Sequence, residues 1–214
     1  EDDREIESVL VGINIDTGEV LLADMLNEKE DKQDIDAVIG HHPRGIGAAG
    51  LHEVMHVQKD ILVDWGIPVN VADSIMDQRI REVERKIRGA NFNQSLDSAK
   101  LLDVPLMCIH TPADNLVNEF LEEKVEENDM KKVGDVMEML KDIPEYHEAR
   151  KFGAGPTVLV GNENNRCGKV VVEMTGGTEG SKESYEKMAN AGVGTIIGMH
   201  LSEKHRKKVE ENHL

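Results

Sequence analysis

Apolar residues recur along this chain in two alternating periods. Residues 6–15 (IESVLVGINI) are β-branched and partly alternating, which predicts a strand. A turn over 16–18 leads to the apolar residues of 19–25, and a polar stretch fills 27–34. Residues 35–39 form a second apolar run, too short for a helix, ending at Gly40-His41-His42-Pro43. Pro43 cannot continue a ladder, so both histidines fall where a strand gives way to a loop. Leu51, Val54, Met55, Ile61 and Leu62 are spaced for an amphipathic helix over 51–65. Residues 68–72 read as a short strand, and 74–87 as a charge-laced helix broken by the glycine and asparagines of 89–93.

The second half repeats the alternation. Residues 105–109 predict a strand that ends at His110-Thr111-Pro112-Ala113-Asp114. Leu116, Val117, Phe120, Leu121 and Val125 mark one helix face, and Met130, Val133, Val136, Met137 and Leu140 another. Strands follow at 157–161 and 169–174, then a glycine loop, a helix over 181–191 and a strand at 194–198. Ser202 is placed to cap a last helix toward Asn212. Strand–helix alternation of this kind predicts α/β layers, with sites outside strand ends.

Composition narrows the class. With 39% hydrophobic residues in 214 the chain can bury a core, and with 3% aromatics and ten methionines that core is aliphatic and thioether-rich. The apolar runs fall far short of the roughly 18 residues that span a bilayer. Two cysteines make neither a disulfide framework nor a metal knuckle, so a cytoplasmic setting is expected. The net charge of −17 argues against a nucleic-acid backbone as partner. That charge is lopsided: residues 1–128 carry 28 acids against 12 bases, whereas 129–214 carry 14 against 13. An acidic half is either a solvated surface or, for a minority of its carboxylates, a cation site.

Four groups of residues could carry chemistry. Adjacent side chains leaving an extended segment point apart, so His41 and His42 chelate one ion poorly but can hold two neighbouring ions, one each. The plain alternative is a loop with two exposed histidines. His110-x-x-x-Asp114 also follows a strand; its carboxylate could bridge two metals, or simply cap the helix expected near Leu116. Gly176-Gly177-Thr178-Glu179-Gly180-Ser181 lies between a strand and a helix and offers an anion site at Gly177, Gly180 and Ser181, or a tight glycine turn. It matches neither the Walker nor the dinucleotide pattern. His200 and Glu203, at helical spacing after a strand, could share a metal, or belong to a solvated lysine-rich helix.

Together these signals resemble one family. Ile39-Gly40-His41-His42-Pro43 resembles the His-His-Pro signature of the Nif-three-like proteins, also called GTP cyclohydrolase I type 2 homologues. Ile109-His110-Thr111-Pro112-Ala113-Asp114 is similar to their His-Thr-x-x-Asp motif, and the stretch from Val170 through Gly176, Gly177 and Ser181 to the strand at 194–198 is similar to their second half. The resemblance implies a dinuclear site in which His41 and His42 each hold one metal and Asp114 bridges both. It implies two α/β lobes around a shared metal cleft, here expected as 1–128 and 129–214, and a ring-shaped homohexamer. The family's closing histidine–acid pair follows one further strand, which on this alignment falls past Leu214. The second lobe therefore reads as truncated, and His200 and Glu203 are expected behind the ligands rather than among them.

The function expected on this basis is a metal-dependent hydrolase holding two divalent ions (Zn, Fe, Mn or Ni), with His110 as a proton shuttle. Its substrate would be a small nucleotide-like or phosphorylated compound. A non-enzymatic metal-binding or delivery protein acting through partners is the second reading, and a metal-free mononucleotide-binding module the third.

Overall fold

The computed structural model describes residues 5–29 and 34–214. In chain order the first elements are β1 (Val9–Gly12), α1 (Thr17–Asn27), β2 (Ala37–Gly40), α2 (Gly45–Ala49), α3 (Leu51–Val54), α4 (Val57–Asp64), α5 (Val69–Ile87) and α6 (Gln94–Leu101). There follow β3 (Leu106–Cys108), α7 (Thr111–Glu127), α8 (Val133–Lys141), α9 (Pro144–Lys151), β4 (Lys169–Glu173), α10 (Ser184–Asn190), β5 (Val193–Gly198) and α11 (Glu203–Glu211). This is an α/β protein. It divides into two compact units: Glu1–Val54 with Ile80–Ala113, and Met55–Arg79 with Asp114–Leu214.

The first unit is built on a parallel three-stranded sheet of order β1-β2-β3. Parallel neighbours cannot be joined by a hairpin, so helices carry the crossovers. One face packs α1 and α6 through Ile15, Val20, Ala23, Val38, Ala99 and Val104. The entry to α1 is fixed where the Asp16 N–H donates to the Glu19 carboxylate at 2.8 Å, satisfying a donor at the helix start. The second unit holds the parallel pair β4-β5. Its core is the predicted aliphatic–thioether mixture, with Leu121, Val136, Met139, Leu140, Cys167, Val172, Met174 and Ile197 buried together.

Several expectations change. Residues 68–72 are not a strand: the Pro68 carbonyl accepts from Val71 and Ala72, and α5 begins at Val69. Ala72, Met76, Ile80 and Val83 are all buried, a helical stripe that outweighs the β-branched residues at its start. Residues 157–161 form no strand either. The segment there is irregular with bends at 159–161, and nearby Glu163, Asn165 and Cys167 bond the backbone leading into α8 instead of lengthening a sheet. The helix over 51–65 is interrupted at 55–56 and becomes α3 and α4. The periodicity of the sequence does not predict α2, α6 or α9. Among the described residues no helix is long and apolar enough to cross a membrane.

Candidate metal centre

Because β1, β2 and β3 run parallel, their C-terminal ends and the loops beyond them gather along one edge of the sheet. His41 and His42 prolong β2, their N–H groups donating to the carbonyls of Gly12 (2.9 Å) and Ile13 (2.8 Å). β3 is prolonged in turn by the Ile109 N–H, which donates to the Gly40 carbonyl at 2.8 Å and delivers His110 beside them. Gly40 stands in a crowded position. A Cβ there would stand 3.0 Å from Ile15 Cγ1 and 3.3 Å from Cys108 Sγ.

Three imidazoles result. The rings of His41 and His110 stack at 4.5 Å with 16° between planes, and His42 lies 5.3 Å from His41 and 5.8 Å from His110. One nitrogen from each falls within 4.8 Å of the others; His41 and His110 are half-buried and His42 is more exposed. Among the described residues this is the group of three metal-capable side chains in mutual reach. Their donor chemistry fits a divalent ion of the Zn, Fe, Mn or Ni kind, for which neutral imidazole is a common ligand. The rings are also braced. His41 Nδ1 meets the Ile109 carbonyl at 3.2 Å and His42 Nδ1 meets Asn14 Oδ1 at 2.7 Å.

The sequence pattern did not reveal two of the supporting residues. Asn14, just past β1, reaches His42. Arg44, just past the His-His-Pro turn, ties that turn to the start of α1 through the Ile15 carbonyl (2.9 Å) and the Asp16 carboxylate (2.6 Å). A polar residue directly following a strand in the same layer is the signal that could have found Asn14.

Asp114 does not cap its helix. α7 begins at Thr111, because Pro112 is preorganised for a first turn, and places Asp114 inside that turn, 4% exposed. Its position is in the second unit by residue range.

The glycine loop has a definite internal occupant. Gly176 and Gly177 take φ of +97° and +87°, and the Gln58 amide donates to the carbonyls of Gly176 and Thr178, both at 2.7 Å. A Cβ on Gly176 or Gly180 would collide with Gln58, at 2.5 and 2.4 Å. Ser181 is buried, its carbonyl accepting from the Ser184 hydroxyl at 2.6 Å.

Past β5, His200 is 67% exposed and 4.0 Å from Glu179, whereas Glu203 faces solvent and makes a two-pronged ion pair with Arg206. The buried histidine here is His205, which the Tyr185 hydroxyl meets at 2.8 Å and Glu179 approaches to 3.8 Å. Burial pushes Glu179 up, but the Ser202 N–H and the two histidines outweigh it and hold the carboxyl below its ordinary value. Burial, with the Glu179 charge beside it, pushes Glu173 up to about 7. Burial also raises the Tyr185 phenol. The second unit further contains a cavity of about 940 Å³ bordered by Val136, Leu140, Ile196 and Met199.

No protein-family model and no curated protein matches this sequence. Among solved structures, the chain is similar to the crystal structure of a NIF3 superfamily protein from Sphaerobacter thermophilus, with a TM-score of 0.82 and 25% sequence identity. The match covers 96% of this chain and 74% of that one.

Proposed function

From the premise that this chain is Nif-three-like, in its fold and in its paired histidine motifs, we propose that it is a dinuclear metal-binding protein working as a metal-dependent hydrolase. The substrate we propose is a small nucleotide-like or phosphorylated compound. The observation that supports the reading is the convergence of His41 and His42, with His110 stacked beside them, from the ends of two neighbouring strands, with one ring nitrogen of each within 4.8 Å of the others.

In this proposal His41 and His42 each hold one divalent ion. Asp114, four positions past His110, would supply the carboxylate that the family resemblance implies, its charge offsetting that of the bound ions. Bound divalent ions supply Lewis acidity and lower the pKa of water toward ~7. His110, stacked on His41, would take or return a proton at a substrate held against the pair. The Ile109 carbonyl and the Asn14 amide keep the two ligand rings from turning, so little is lost in ordering them when an ion arrives.

The test is reconstitution of metal-stripped protein with Zn, Mn, Fe or Ni, followed by a screen of phosphate esters and of purine and pyrimidine ring hydrolysis. Metal-dependent turnover that Asp114→Asn removes supports the hydrolase. Stoichiometric metal uptake with transfer to an apo acceptor, and no turnover on any substrate class, contradicts it in favour of metal delivery.

A further inference from the structure

His42 reaches the metal centre through a ring that could present either nitrogen. We propose that Asn14 is the positioning residue of that ring: its side-chain carbonyl holds the proton on Nδ1 and so turns the lone pair of Nε2 toward the metal position. The assignment rests on the metal-centre reading above for its consequence, but its geometry stands by itself.

The chemistry is as follows. A neutral imidazole carries one N–H, and the nitrogen without it is the ligand. His42 Nδ1 lies 2.7 Å from Asn14 Oδ1, an amide oxygen that can only accept. The proton therefore sits on Nδ1. His41 reaches the same state differently, its Nδ1 lying 3.2 Å from the backbone carbonyl of Ile109. The two rings thus have unlike supports. That of His41 is main chain, set by the β2–β3 register and out of reach of side-chain substitution. That of His42 is a side chain, standing where β1 ends, and its contact is the shorter one. It follows that the two metal positions are separately tunable. A change at Asn14 acts on the His42 position and leaves the His41 position alone.

Long-range proton–nitrogen correlation spectra of the metal-free protein at pH 8 read the tautomer directly. In the wild type the His42 Nδ1 is expected at a protonated shift and Nε2 at a lone-pair shift. Asn14→Ala should abolish that preference, and Asn14→Asp, which keeps only an acceptor, should retain it. On titration with Zn, Asn14→Ala should weaken one binding step by about 10- to 100-fold, as typical for loss of a ligand's hydrogen-bond partner, with the other step unchanged and Asn14→Asp rescuing it. A residue serving only to hold the backbone would change stability without moving the tautomer. Protonation of His42 on Nε2 in the wild type, or a tautomer indifferent to Asn14→Ala, overturns the proposal. Equal Zn affinity in wild type and Asn14→Ala overturns it too. A locked Nδ1–H tautomer in a protein that takes up no metal supports the positioning and instead defeats the metal-centre reading.

Discussion

His41 and His110 stack face to face at 4.5 Å although five helices and one strand separate them along the chain. Backbone register makes the pairing. Gly40 is opposite Cys108 in the β2–β3 ladder; His41 follows Gly40 directly, His110 comes two residues after Cys108, and their rings meet beyond the paired residues. The Ile109 carbonyl then meets His41 Nδ1, so the strand that presents one histidine also braces the other.

That register depends on Gly40. Gly40→Val would press new carbons into Ile15 and Cys108, and overpacking of this kind costs about 1–3 kcal/mol. Urea unfolding should show the loss, and metal uptake should fall with it because His41 moves. A variant with wild-type midpoint and wild-type metal content would show that the ladder tolerates a side chain there.

Gln58 gives a second prediction, in the other unit. Its amide supplies the donor for two loop carbonyls that a tight turn leaves turned inward. Gln58→Ala should cost about 1–3 kcal/mol, the penalty for leaving buried acceptors without partners. Hydrogen exchange should speed up at the amides of residues 176–181. Unchanged exchange there would mean that the glycine turn stands without Gln58.

How much of this was legible in the sequence varied with the physics involved. The strand ends that carry His41-His42 and His110 were readable, because short β-branched runs closed by proline or by a polar step have few other solutions. The aliphatic–methionine core was readable from composition. What failed was local pattern set against tertiary context. Val69 and Val71 suggest a strand, but the stripe of Ala72, Met76, Ile80 and Val83 wins because its burial is spread over a long helix. Residues 157–161 have strand-like composition without a strand to pair with. The bracing of His42 by Asn14 and the filling of the glycine loop by Gln58 join residues far apart or of no distinctive type. No periodicity marks them.

Glu173 titrates in a direction that can be checked. Its folded pKa of about 7 lies above the ordinary unfolded carboxyl value, so the native state holds the proton more tightly. Ionisation therefore costs stability as pH rises from about 4.5 to about 7, on the order of 3 kcal/mol in all. Glu173→Gln should raise stability at pH 8 and leave it nearly unchanged at pH 5, in urea unfolding at both values. Equal effects at the two pH values would contradict the raised pKa.

The ring-shaped homohexamer that the family resemblance implies is also testable. Light scattering coupled to size exclusion should report a species well above the 23.8 kDa chain. A strict monomer at micromolar concentration would count against the hexamer.

The most direct measurement is metal content by inductively coupled plasma analysis of reconstituted protein, for the wild type and four single variants. The account predicts about two ions per chain in the wild type, as in two-metal sites generally. His41→Ala and His42→Ala should each lose about one, Asp114→Asn should weaken both, and His110→Ala should keep both while losing turnover. Metal content that is unchanged by His41→Ala, His42→Ala and Asp114→Asn alike would contradict the centre.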